Sequence, residues 1–121
     1  MRTRPDVVTE DVVGDRTIRR DEAGYLVDPE DWDEAVARKF AGEEDIDLGD
    51  EHWAVLGFMR AFLADSGVAP DARFAFRFIA ARHGESEAAA RRRFFALFPY
   101  GYVKQACKIA GMKQPRAWST G

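Results

Sequence analysis

Apolar pairs separated by turn residues open the chain: Val12-Val13, then Gly14-Asp15, then Thr17-Ile18. Short runs flanking a Gly-Asp turn predict the two strands of a hairpin. Asp21-Glu22-Ala23-Gly24 predicts a second turn, and Tyr25-Leu26-Val27 a third short strand. The chain is therefore expected to begin as a small antiparallel meander. After Val27 the apolar spacing changes from that of a strand to that of a helix. Asp28 is placed to cap a first helix, with Pro29 at a position where the missing N–H is no loss. Trp32, Ala35, Val36 and Phe40 would form its inner stripe, and Gly42 its end. Asp50 predicts the cap of a second helix running to Asp65, with Val55, Phe58, Met59, Phe62 and Leu63 over a wide arc. Ala54, Gly57, Ala61 and Ala64 line much of the rest, and Arg60 alone is strongly polar in its middle. That pattern predicts a buried central helix with a stripe for close packing.

The spacing predicts a third helix from Asp71 to Arg82, with Phe74, Phe78 and Ile79 inward and Gly84 as its break. A fourth is expected from Ser86 to Phe98 on Ala90, Phe94, Leu97 and Phe98. After the Pro99-Tyr100-Gly101 turn, a short fifth helix is expected from Tyr102 to Ala110. Strands first and helices afterwards predict an α+β fold: a β-meander packed on about five α-helices, not an alternating βαβ chain. Residues 1–11 read as a flexible tail, 12–110 as one domain, and 111–121 as an exposed, mobile arm without periodicity.

Composition narrows the classes. At 121 residues, 46% hydrophobic and 32% charged, the chain is one ordinary globular domain. Its net charge of -3, from 18 basic and 21 acidic residues, argues against general affinity for nucleic acid or anionic membranes. A single cysteine excludes an intramolecular disulfide and fits a reducing compartment. No apolar run is long enough to span a bilayer, and the first ten residues lack a signal-peptide core. A cytoplasmic location is expected.

The one thiol is Cys107. On a regular helix Lys104 would share its face and Lys108 is adjacent, so two ammonium groups would favour the nucleophilic thiolate. Such a thiolate can attack a partner's persulfide and take over sulfur. The plainer reading is a small apolar core residue, because free cysteine is among the most buried residue types. His52 and His83 lie on different helices with no second ligand at metal spacing, so no metal is expected. Arg91-Arg92-Arg93 follows a helix-Gly-helix turn and admits a DNA-binding reading, against which the acidic total weighs. Trp32 and Trp53 read as core, whereas Trp118 in the arm reads as a docking anchor or a cover for a groove. No phosphate loop, dinucleotide fingerprint or Ser/His/Asp arrangement is present, and no cofactor is expected.

The stretch from Leu97-Phe98-Pro99 through Lys104-Gln105-Ala106-Cys107-Lys108-Ile109-Ala110-Gly111 resembles the C-terminal segment of the DsrC/TusE family. Asp21-Glu22-Ala23-Gly24-Tyr25-Leu26, Trp32, Glu51-His52-Trp53, Pro70 and Arg73 agree with the family's earlier segments. The resemblance runs over residues 14–115. It implies a small β-meander on a helical array and a protein that passes persulfide sulfur. It implies sulfur-relay proteins or sulfite reductase subunits as partners, in tRNA thiolation or dissimilatory sulfur metabolism. Family members carry the reacting cysteine near the tip of a mobile arm, and some have a second one where Cys107 stands. Here Trp118 falls at the arm-tip position, Tyr102 replaces a usual proline, and Met112, Lys113 and Gln114 depart from the pattern.

The resemblance implies sulfur uptake on Cys107, with Lys104, Gln105, Lys108 and Trp118 tuning the thiol or binding a partner. A non-carrying regulatory or binding paralogue is the alternative, motivated by the missing arm cysteine. DNA binding through the helix-Gly-helix turn is a second.

Overall fold

The computed structural model describes residues 8–113. Strand β1 (Val8–Val13) pairs antiparallel with β2 (Arg16–Asp21), from Val8 opposite Asp21 to Val13 opposite Arg16. Gly14, at φ 62°, supplies the left-handed residue of the two-residue turn. β1 starts inside the stretch expected to be a tail. Its outer half carries polar and exposed positions, so the ladder continues where no apolar alternation marks it. Only Val13 and Ile18 of the hairpin reach the core.

The third strand is cut to a single bridge, Arg20 to Leu26. Asp21 N–H donates to the Tyr25 carbonyl and Val27 N–H to the Arg19 carbonyl. Pairing then stops, because the chain turns away at Asp28-Pro29 and proline has no N–H to extend the ladder. The meander is thus a two-stranded hairpin with a bridged turn.

The first helix is also divided. Asp28 caps one 3-10 turn, Pro29–Asp31, through Glu30 N–H, with proline at its start as expected. Trp32 lies extended, and Asp33 caps helix α1 (Glu34–Glu43) through Val36 N–H. α1 buries Val36, Ala37, Phe40 and Ala41 and leaves Ala35 outside. It passes Gly42 and ends at Glu43, where Asp45 takes the left-handed conformation, φ 58°.

Helix α2 (Asp50–Ser66) starts one residue earlier than expected: Gly49, not Asp50, is the cap residue, and its N–H donates to His52 Nδ1. The helix buries Val55, Leu56 and Met59, but Gly57, Ala61 and Ala64 face outward, so the small-residue stripe packs against nothing described. Helix α3 (Ala72–His83), capped by Asp71, buries Ala72, Ala75, Phe76 and Ile79. Phe74, expected inside, is 39% exposed and lies 5.3 Å from Phe62 on the outer side. Helix α4 (Glu87–Leu97), capped by Ser86, packs on α3 with Phe76 and Phe94 edge to face at 5.3 Å. The predicted fifth helix is present but its first part, Tyr102–Cys107, is wound as a π-helix.

The α+β expectation is borne out: one hairpin beside a helical array whose core runs from Val13 to Met112. Gly111 and Met112, expected in the arm, belong to that core. Gly111 has φ 75°, and a Cβ there would lie 2.8 Å from Trp32 Cγ. Gly42 has open space where its Cβ would be.

Gly111→Ala is therefore expected to lower unfolding stability by about 2–4 kcal/mol, from left-handed strain plus a forced tryptophan shift. Gly42→Ala is expected to raise it by up to about 1 kcal/mol, because alanine is the better helix former. Urea unfolding followed by circular dichroism measures both.

Candidate functional site

The site is built on the turn that carries the distinctive motif. Three side chains from distant parts of the chain hold backbone carbonyls of this turn, and Tyr102 of the turn itself reaches out to a fourth carbonyl. Tyr25 Oη donates to the Val103 carbonyl at 2.8 Å, and Trp32 Nε1 to that of Ile109 at 2.8 Å. Arg60 Nη1 donates to the Ala110 carbonyl at 3.1 Å and Nη2 to that of Pro29 at 2.9 Å, its guanidinium stacked 4.7 Å from the Trp32 ring centroid. Tyr102 Oη donates to the Pro70 carbonyl. Arg60 was the one strongly polar residue inside α2, which was the signal for this role. Nothing in the sequence marked Tyr25 or Tyr102 as anchors.

Cys107 points into the core and is 0% exposed. Burial pushes its thiol up to about 12, and a hydrogen bond with Tyr102 acts weakly in the other direction. Burial also raises Tyr25 to about 12, followed by the effect of Cys107, and raises Tyr102 well above the ordinary phenol range. Neither lysine appears among the causes acting on the thiol. The reason is geometric. A π-helix closes i→i+5 hydrogen bonds, so residues three apart lie further round the axis than on an α-helix. Lys104 is exposed, and Lys108 holds its Nζ 5.1 Å above the Tyr25 ring, on the outer side. The expected lysine-activated thiolate is therefore not the state of the closed fold.

Gln105 is 1% exposed and braces the turn: its Oε1 accepts from Tyr100 N–H at 2.8 Å and its Nε2 donates to Glu44 Oε1 at 3.0 Å. Trp118 lies outside the described residues. Above the turn opens a cleft of about 550 Å3, lined by Tyr25, Glu44, Tyr100, Lys104 and Lys108 with Ala23 and Val103. Of the expected site residues, Lys104 and Lys108 meet at this cleft and Cys107 lies behind it.

The remaining candidates fall elsewhere. His52 bonds to Gly49 N–H and the Leu97 carbonyl, and His83 to Glu51. Among the described residues no group of His, Cys, Asp and Glu could hold a metal. Arg91 lies over Phe76 and Phe95, and Arg93 pairs with Glu85 at 2.8 Å, so two of the three arginines are engaged by their own fold.

The family of DsrC like proteins matches residues 12–117, nearly the whole chain. The chain belongs to that family. Sulfurtransferase TusE of Photorhabdus laumondii is 41% identical over 98 residues, covering 81% of this chain and 87% of the relative. TusE of Yersinia pseudotuberculosis is 41% identical over 100 residues, covering 83% and 92%. The oxidized gamma-subunit of dissimilatory sulfite reductase (DsrC) from Archaeoglobus fulgidus superimposes with a TM-score of 0.78 at 33% identity, over 90% of this chain and 98% of that one. DsrC of Allochromatium vinosum gives 0.79 at 30%, over 92% and 98%. This DsrC-type chain therefore shares the family fold, including the helical array behind the Cys107 turn. None of its described helices is long and apolar enough to cross a membrane.

The thiol state has a measurable consequence. The folded value, about 12, lies above the ordinary 9.0, so folding favours the protonated thiol. That stabilisation is fully present below 9.0 and is lost as pH rises toward 12. The unfolding free energy from urea titration is expected to fall between about pH 9 and pH 11, by up to about 1.4 kcal/mol per pH unit from this group. Cys107→Ala should remove the fall between about pH 9 and pH 10, leaving the part above about pH 10 that Tyr25 and Tyr102 contribute. Equal slopes in both proteins would show that the thiol ionises normally in the fold.

Proposed function

We propose that this chain is a sulfur-relay protein of the DsrC/TusE type and that it takes up sulfur on Cys107 when the C-terminal turn opens. The carrying observation is that Cys107 is the sole cysteine and stands in the motif Lys104 to Gly111 of a chain that belongs to the family. The related proteins named as sulfurtransferases support the reading. A persulfide held by these 121 residues has no other cysteine to occupy.

Uptake is a thiol exchange. The Cys107 thiolate attacks the outer sulfur of a donor protein's persulfide. The donor's S–S bond breaks, a new S–S bond forms on Cys107, and the donor leaves as its thiolate. No net oxidation occurs. The attack needs an ionised, reachable sulfur, and both conditions are met together when the turn leaves the core, because burial is what raises the thiol. The partner is accordingly a sulfur-relay protein or a sulfite reductase subunit in the same compartment, the cytoplasm.

A second reading has its own observation. The thiol is fully enclosed in the closed fold, which favours a relay protein that docks to partners without carrying sulfur. Intact-mass spectrometry separates the two. The reduced protein is incubated with a cysteine desulfurase and free cysteine, beside Cys107→Ser and Arg60→Ala. The expected result is a gain of one sulfur atom, absent in Cys107→Ser. Arg60→Ala should load faster, by about tenfold, because losing charged hydrogen bonds worth about 1.5–3 kcal/mol enlarges the open population. No gain in any protein would transfer the function to docking alone.

A further inference from the structure

The cleft on the outer side of the same turn has features that sulfur chemistry does not use. Lys104 and Lys108 both line it, and among the described residues neither ammonium is paired with a carboxylate. Elsewhere the fold pairs Arg16 with Asp33, Arg20 with Asp11 and Glu43, and Arg93 with Glu85. The one carboxylate in the lining, Glu44, accepts from Gln105. Four residues apart on a wide winding, the two lysines can serve one ligand.

The floor is preformed. Tyr25 is 3% exposed and bonded to the Val103 carbonyl; Gln105 ties Glu44 to the Tyr100 backbone. A ligand entering here orders little of the protein, which favours affinity. Tyr100 is 73% exposed, although its backbone is held by that same glutamine. An exposed aromatic on an ordered backbone is the residue type that anchors protein interfaces.

We infer that this cleft docks an acidic segment of a partner protein, with Lys104 and Lys108 contacting its carboxylates and Tyr100 packing against its chain. Three observations select this occupant. The chain is net -3, so an unpaired basic pair is a local inversion suited to steering an acidic partner. The volume of about 550 Å3 is far larger than an inorganic anion needs. A small oxyanion would engage the lysines and leave Tyr100, Ala23 and Val103 without a role. The inference rests on the relay reading for the kind of partner, but its chemistry involves no sulfur.

The test uses the full chain and a fluorescein-labelled octaglutamate peptide, with octaglutamine as the neutral probe. Fluorescence anisotropy is measured at low and at physiological salt. Octaglutamate is expected to bind, more weakly at higher salt, and octaglutamine not to bind. Lys104→Glu with Lys108→Glu should weaken binding by at least about tenfold, and Tyr100→Ala severalfold. Lys113→Glu, a single charge reversal at an exposed residue outside the cleft, should leave it nearly unchanged, whereas Lys104→Glu alone should weaken it. If the paired reversal does not fold, Lys104→Ala and Tyr100→Ala at exposed positions carry the comparison. Three results would overturn the inference: no binding at low salt, an equal loss in Lys113→Glu, or full displacement by sulfate at matched charge with Tyr100→Ala neutral. The last would mark a small-oxyanion site. Sulfur loading measured by mass on the same variants separates the two readings. In the unsubstituted chain, sulfur loading without peptide binding would count against the cleft alone, and peptide binding without loading against Cys107 carriage alone.

Discussion

A buried C-terminal turn must have its backbone carbonyls satisfied, and in this fold the partners come from the first half of the chain. Tyr25, Trp32 and Arg60 donate to Val103, Ile109 and Ala110. Each bond closes a long loop, so it forms only when the whole helical array is assembled. Gly111 allows Trp32 to lie against the backbone where any Cβ would collide. With these contacts in place, Cys107, Ile109 and Met112 are sealed in the core. An unpartnered carbonyl at that depth would cost about 1–3 kcal/mol, so each of these hydrogen bonds favours the closed turn.

The π-winding of Tyr102–Cys107 gives the turn two different sides. Inward, Tyr102 and Cys107 share a dry environment in which both are held protonated. Outward, Lys104 and Lys108 stand over a preformed cleft. Nucleophile and cations are thus adjacent in sequence and separated in space. On the proposed function, exposing the thiol requires a conformational step that breaks the carbonyl contacts of Trp32 and Arg60.

Much of the architecture was legible in local chemistry. Asp28 caps as expected, its side chain accepting from Glu30 N–H, whereas the other expected cap, Asp50, is the first residue of α2 and Gly49 takes the cap position. Ala90, Phe94 and Phe98 repeat on one face and are buried. Errors arose where burial depends on a neighbour. Phe74 has the right spacing for the core, yet Ala75 and Phe76 take the inner face and leave it outside. The alanine and glycine stripe of α2 suited close packing, but no described element packs there. The outer half of β1 is polar, so only pairing with β2 reveals it as a strand.

Sequence by itself determined the class, α+β, the cap at Asp28, the motif that places the chain in its family, and the identity of the only thiol. These follow from residue type and short-range spacing. The tertiary structure decided which way that thiol points, which cations stay unpaired, and what closes the turn. Those depend on winding and on contacts such as Tyr25 to Val103 and Trp32 to Ile109, between residues 78 and 77 positions apart. No periodicity encodes them, because a donor and a carbonyl become partners only when packing has removed water from both.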